Sequence, residues 1–289
     1  MIIVDDRSQD NSWEVIQGIA KADSRVRAIR HECNQGASSS RNDGLRAASA
    51  MFIAFCDADD IWEPRKLEVQ TDLLKNNPEF SVTYCDSMII DENGVPTGRK
   101  FSDRFPLPKH PSGWLFRELA TRNFINMQTV VMRRECIQQA GYFDLEIKWV
   151  EDWWFWLRLS DGHRFLYSPE PLARYRVHSA SSNVLQQRSC AINRIKVFRR
   201  MLRRYGQMSP SLKADVFRNM GGALLDIGKR RAGRRLLWQG IRLSWANRLA
   251  LPNGLRAFVR LLCSVIPVLK RDRELGSRKD RKTIAPLGD

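Results

Sequence analysis

Nowhere in its 289 residues does the chain approach the ~18 consecutive apolar residues of a membrane-spanning helix. Nor do the opening residues read as a secretory leader, because Asp5, Asp6 and Arg7 follow only three apolar residues after Met1. The six cysteines (33, 56, 85, 136, 190 and 263) include no CxxC pair, and several lie in apolar runs. That usage predicts reduced thiols in a cytosolic protein. Neither GxGxxG nor GxxxxGK[ST] occurs, which excludes the usual dinucleotide and P-loop fingerprints. No Ser/His/Asp or Cys/His arrangement argues for covalent catalysis. What is present is ample core material, 43% hydrophobic residues, enough to exclude a disordered chain.

Negative charge is scarce in one part only. The net charge is +16, yet residues 1–184 carry 23 basic and 26 acidic side chains, and residues 185–289 carry 25 and 6. An acidic body of −3 joined to a basic tail of +19 predicts a boundary near residue 184, in the polar stretch Ser179–Asn183. The tail alone invites a nucleic-acid partner, but no recognition motif accompanies it, so nucleic acid is not expected.

Along the body, short apolar runs alternate with amphipathic patterns, predicting an α/β fold with a mainly parallel sheet flanked by helices. Strands are expected at Ile2–Asp5, Val26–Ile29, Met51–Cys56, Val82–Cys85, Thr129–Arg133 and Tyr167–Arg176. Helices are expected at Trp13–Ala22, Arg41–Ala50, Pro64–Lys75, Trp114–Thr121, Arg134–Ala140 and Glu151–Ser160, with a hairpin about Asn93-Gly94. Because the chain opens inside a strand, an upstream strand and helix are expected to be missing.

The chemistry-bearing segments lie at the ends of these elements. Phe55-Cys56-Asp57-Ala58-Asp59-Asp60 places three carboxylates beyond a buried strand, which a divalent cation such as Mg²⁺ or Mn²⁺ would neutralise. A solvated turn with Asp60 as a helix cap is the plainer alternative. Val4-Asp5-Asp6-Arg7-Ser8 repeats the arrangement and suits a base N–H or ribose hydroxyls. Asn34 to Asn42 is a small-residue loop entering a helix, whose amides and Arg41 would suit a diphosphate. Glu151-Asp152 precedes an aromatic run, and a carboxylate there suits a general base; the Trp side chains themselves read as core. His178 could be a metal ligand or structural.

Taken together, Asp5-Asp6-x-Ser-x-Asp, Asn34-x-Gly36…Arg41-Asn42-x-Gly44, Phe55-x-Asp57-x-Asp59-Asp60-x-Trp62-x-Pro64, Gly141-x-Phe143-Asp144, Glu151-Asp152-Trp153…Trp156-Leu157-Arg158-Leu159 and Tyr175-Arg176-x-His178 occur in order. This series resembles the family 2 glycosyltransferases of GT-A fold over about residues 1–183. The resemblance implies inverting transfer of a sugar from a nucleotide-diphosphate sugar to a glycan or lipid-linked acceptor hydroxyl, without processivity, in cell-surface polysaccharide or glycolipid synthesis. It implies nucleotide-sugar contacts from Asp5, Asp6, Arg41 and Asp57, Mg²⁺ or Mn²⁺ on Asp59 and His178, and Asp152 as general base. Competing readings are an impaired fragment acting as a scaffold and a Mg²⁺-dependent nucleotidyltransferase.

In the tail, residues 190–206 and 212–248 read as Arg-rich amphipathic helices, with a helix-turn-helix pair centred on Gly228. Leu255–Leu269, broken by Pro267 and followed by Lys270, Arg271 and Arg273, would suit an anionic membrane surface. The expected location is the cytoplasm, peripheral to the inner face of the plasma membrane.

Overall fold

A computed structural model describes residues 1–178 and 187–246. The linker Ser179–Asn183, the apolar segment Leu255–Leu269 and Cys263 lie outside the described residues. Two compact units divide the chain, Met1–Asn193 and Arg194–Asp289. Among the described residues no helix is long and apolar enough to cross a membrane.

In the first unit, β1 (Ile2–Asp5) and β2 (Arg27–Arg30) pair in parallel around α1 (Ser12–Ala22). Helix α2 (Ala37–Ala47) leads to β3 (Phe52–Ala54), the short β4 (Ile61–Trp62) and α3 (Lys66–Asn76). Strand β5 (Val82–Ile90) and β6 (Pro96–Lys100) form the hairpin, with Gly94 at φ 86° supplying the left-handed turn. Then come α4 (Phe101–Arg104), α5 (Phe116–Leu119), β7 (Val131–Arg133), α6 (Ile137–Ala140), α7 (Glu151–Ser160) and β8 (Phe165–Arg176).

The second sheet has the order β3-β7-β5-β8-β4, with β6 on β5. The α/β class is as expected, but the sheet is mixed. Only β5–β8 is parallel within it, while β3–β7, β5–β7, β4–β8 and β5–β6 are antiparallel. An apolar run reports burial and not direction, so the sequence could not reveal that β7 returns antiparallel between β3 and β5. Strand β5 is central and is buried along nearly its whole length. Helix α2 begins at Ala37, four residues before the expected start. Ala37–Ser40 reads as loop by composition, because Ser favours caps and turns, yet Gly36 at φ 88° turns the chain directly into the helix.

Helix α7 is apolar nearly all round, and Trp153, Trp154, Phe155, Trp156, Leu157 and Leu159 are buried, as befits a helix inside a core. Phe143 stacks on Phe155 at 4.2 Å between ring centres and meets Phe55 edge-on at 5.5 Å. This cluster fixes the end of β3 just before Cys56 and Asp57. The Asn42 amide exchanges two hydrogen bonds with the Phe143 backbone, 2.9 and 2.7 Å, clipping α2 to the 141–144 turn. Two separated sequence segments thus meet through one buried amide.

The second unit continues α8 (Gln187–Arg204), whose start belongs to the first, into α9 (Pro210–Asp226) and α10 (Arg230–Ala246). Ser209 caps α9, its hydroxyl accepting from the Leu212 amide at 3.4 Å. Gly228, at φ 82°, makes the turn to α10. The helices pack backbone to backbone: a Cβ on Gly221 would lie 2.9 Å from the Gly233 carbonyl, and one on Gly240 2.8 Å from that of Ala214.

Candidate active site

The first loop is organised around Asp6. Its carboxylate accepts from the backbone amides of Gln35 and Gly36, each at 2.7 Å, and from His31 Nδ1 at 2.7 Å. Asn34 donates to its carbonyl at 3.0 Å. Burial works against this charge, but the Gln35, His31 and Gly36 bonds outweigh it and hold the carboxyl below its ordinary value. Two of the amides that a loop-and-helix reading offers to a diphosphate are therefore occupied by Asp6. Arg7, next in the chain, has φ 66°, a left-handed conformation that non-glycine residues avoid and that marks functional loops. Asp5 is buried, accepts from the Ser8 amide at 3.2 Å and faces Arg30 Nε at 3.1 Å. It braces the loop from beneath.

His31, which no sequence motif singled out, is buried between two carboxylates. Nδ1 faces Asp6 at 2.7 Å and Nε2 faces Asp43 of α2 at 2.9 Å. The Asp6 bond above all, then Asp43, raises its pKa against the opposing effect of burial.

Arg41 connects the remaining pieces. From the first turns of α2 it donates Nη2 to Asp57 Oδ1 and Nη1 to Glu151 Oε1, both at 2.7 Å. Its side chain is only 15% exposed, so burial opposes the charge, but Asp57 and Glu151 reverse the balance and raise its pKa. One guanidinium thereby joins the strand-end acidic loop to the start of α7. The sequence suggested Arg41 for nucleotide binding and gave no sign that Glu151 is its partner.

Asp152, beside Glu151, accepts from the Trp153 amide at 2.7 Å and from Asn123 Nδ2 at 3.0 Å. Burial, and then the adjacent Glu151 charge, push it up to about 7 despite those bonds and Arg41. A carboxylate so placed can take a proton near neutrality. Asn123 is a second residue that the sequence left unmarked; its position in a polar loop, 29 residues from its partner, carries no periodic signal.

Beyond β3, Asp57 and Asp59 reach solvent, with side chains 38% and 51% exposed. Asp60 turns inward and accepts from the Arg176 amide at 2.8 Å; burial, then the Asp59 and Asp57 charges, raise it to about 7. It caps no helix, because α3 starts after Arg65. Arg176 also donates to the Asp59 carbonyl at 2.7 Å and to the carbonyls of Asp91 and Glu92. These bonds tie the end of β8 to the acidic loop and bring His178 Nε2 to 3.4 Å from Asp59 Oδ2. A hard oxygen and an imidazole nitrogen, both reaching solvent, suit a divalent ion whose other positions are filled by phosphate and water. Among the described residues no group of three His, Cys, Asp or Glu side chains is placed to hold a metal.

The sequence profile described as Glycosyl transferase family 2 matches residues 1–137. TuaG of Bacillus subtilis, a candidate teichuronic acid biosynthesis glycosyltransferase, is 33% identical over 188 residues, 63% of this chain and 70% of TuaG. WfgD of Escherichia coli, a UDP-Glc:α-D-GlcNAc-diphosphoundecaprenol β-1,3-glucosyltransferase, is 32% identical over 161 residues, 55% of this chain and 57% of WfgD. An uncharacterized glycosyltransferase of Methanocaldococcus jannaschii is 28% identical over 181 residues, and the chain spans 59% of its length. In structure, S. aureus TarS residues 1–349 with UDP-GlcNAc superimposes with a TM-score of 0.61 at 15% identity, covering 94% of this chain and 82% of TarS. The mannosyltransferase PcManGT of Pyrobaculum calidifontis with GDP-Man and Mn²⁺ gives 0.54 at 15% identity, covering 93% and 72%. The fold is GT-A. With its acidic loops inside the matched region and 33% identity to TuaG over an alignment that covers 70% of that relative, the chain belongs to glycosyl transferase family 2.

Proposed function

We propose that the chain transfers a sugar from a nucleotide-diphosphate sugar to an acceptor hydroxyl by single displacement with inversion, in cell-surface polysaccharide or glycolipid synthesis. The observation that carries this reading is the Asp57–Arg41–Glu151 bridge, which couples the acidic loop to the helix bearing Asp152. Donor-side and acceptor-side groups are thus held by one buried cation. The nucleotide sugars in the TarS and PcManGT complexes, and the lipid diphosphate acceptor named for WfgD, support these substrate classes.

In this reading Asp152 takes the acceptor hydroxyl proton as the new C–O bond forms and the bond from the anomeric carbon to the diphosphate oxygen breaks. Asn123 Nδ2 and the Trp153 amide orient its carboxylate, and a further lone pair on Oδ2 faces the hydroxyl. Asp57, one oxygen fixed by Arg41, offers the other to ribose or donor sugar. Asp6 keeps limited accepting capacity on Oδ2 for the base, whereas Asp5 acts through the loop it braces. Asp59 and His178 would hold Mg²⁺ or Mn²⁺ together with the donor's phosphates; when bound, that ion stabilises charge on the departing diphosphate. In this reading residues 1–184 form the transferase domain and 185–289 a basic extension, helical over its described residues 187–246. A lipid-linked acceptor would place the work at the cytoplasmic face of a membrane.

The test is calorimetric titration of UDP- and GDP-sugars with Mn²⁺, alongside turnover. Asp59→Ala is expected to lose Mn²⁺-dependent binding. Asp152→Asn is expected to bind donor normally and to lose at least ~100-fold in transfer, the usual worth of a general base. Unchanged turnover in Asp152→Asn overturns the base assignment, and release of pyrophosphate instead of nucleoside diphosphate overturns the reaction class.

A further inference from the structure

Helix α10 has two unlike faces. Gly233, Leu237, Gly240 and Ile241 are buried, the glycines against α9. Arg231, Arg235, Trp238 and Arg242 are all exposed, and their spacing of 4, 3 and 4 residues puts them in one stripe along the helix. Trp238 is 45% exposed in the middle of it. Lys229 and Arg230, exposed at the turn after Gly228, add positive charge at the start of the helix. From residue 227 to 246 the sequence contains no Asp or Glu.

An ordinary solvated helix face alternates signs, because like charges four residues apart, as Arg231 and Arg235 are, repel each other. A large indole on such a face gains nothing from water. Both features become favourable against a surface that is anionic outside and apolar just beneath. The indole ring enters the boundary layer, and the guanidiniums pair with phosphate oxygens through their fork of N–H groups.

We propose that the Arg231–Arg235–Trp238–Arg242 face of α10 docks on the anionic headgroup layer of a phospholipid bilayer. Nucleic acid would satisfy the arginines equally well, but a single indole centred among cations on one short helix matches an interface better than a phosphate track. The inference goes beyond the transfer reading and does not depend on turnover, so either can fail without the other.

The experiment is flotation of the full chain with vesicles of phosphatidylcholine alone and with 30 mol% phosphatidylglycerol (about the charge of an anionic leaflet). Parallel binding to a 20-nucleotide RNA and a 20-base-pair DNA is measured by anisotropy. Binding is expected only with the anionic vesicles, and it is expected to fall steeply in high salt. Arg231→Gln/Arg235→Gln/Arg242→Gln is expected to weaken the partition coefficient about 100-fold, from roughly fivefold per lost cation near the surface. Trp238→Ala weakens it further at every salt concentration, while donor-induced thermal shift and the far-UV spectrum stay unchanged in both variants. Equal flotation of the triple variant and the parent overturns the proposal. So does equal binding to neutral vesicles, or tight RNA or DNA binding without flotation.

Discussion

Replacing Arg41 by Met keeps the side-chain stem and removes the cation between Asp57 and Glu151. The two partners differ in what they lose. Asp57 is 38% exposed, so water takes over much of its solvation and that half of the bridge counts for little. Glu151 is 13% exposed, and its Oε2 is buried without a hydrogen-bond partner, so the variant strands a buried anion. Removing one partner of a buried pair costs about 3–5 kcal/mol, and the exposed half argues for the low end. For a unit of this size ~3 kcal/mol corresponds to a fall of roughly 6–12 °C in Tm. A second consequence separates this reasoning from a general loss of packing. Arg41 restrains the upward shift of Asp152, which already stands near 7. Without the cation Asp152 should titrate higher, because the opposing charge that Arg41 supplies is gone while burial and Glu151 remain. In the proposed mechanism Asp152 acts in its deprotonated form, so the acid limb of the kcat profile is expected to move to higher pH, with the loss recovered in more alkaline buffer. Thermal melts and a pH–rate series on the parent, Arg41→Met and Arg41→Lys measure both. Arg41→Lys keeps a charge that reaches one carboxylate at a time and should fall between. A melting point within about 2 °C of the parent, with an unmoved acid limb, refutes the bridge.

The His31 clasp gives a stability window. His31 titrates above its ordinary 6.5 in the fold, so its contribution is full below that value and is lost as pH rises through the raised one. Asp6 and Asp43 titrate below their ordinary 3.8, so their share is present above that value and is lost as pH falls. The melting-point difference between the parent and His31→Gln should therefore be largest from about pH 4 to 6.5 and shrink above it; a flat difference from pH 5 to 9 contradicts the assignment. Gly240→Val would set Cβ 2.8 Å from the Ala214 carbonyl and 2.7 Å from Arg218. The α9–α10 pair should lose about 1–3 kcal/mol by overpacking, read as hydrogen-exchange protection lost in 210–246 and retained in β5 and β8.

How much was legible follows from what each residue depends on. Helix α7, strand β1 and the Gly94 and Gly228 turns were visible because they rest on local period and backbone freedom. The acidic segments were visible because a carboxylate run after an apolar strand is unusual chemistry at short range. His31, Asn123 and the Glu151–Arg41 pair were invisible because their partners lie 12 to 110 residues away, and nothing in a lone His or Asn names its contact. That the Gln35 and Gly36 amides bond Asp6 was hidden for the same reason: their acceptor is 29 and 30 residues earlier.

The sequence by itself determined the α/β class, the split between an acidic body and a basic tail, and which residue types stand at the strand ends. Those properties follow from periodicity, composition and charge, which act along the chain. Only the tertiary structure decided the direction of each strand, the joining of Asp57 to α7 through Arg41, and the raised proton affinity of Asp152. It also decided that the Arg231–Trp238–Arg242 stripe faces outward. Each of these depends on burial and on charges brought close across the fold, and the energy of a charge is set by its surroundings in space.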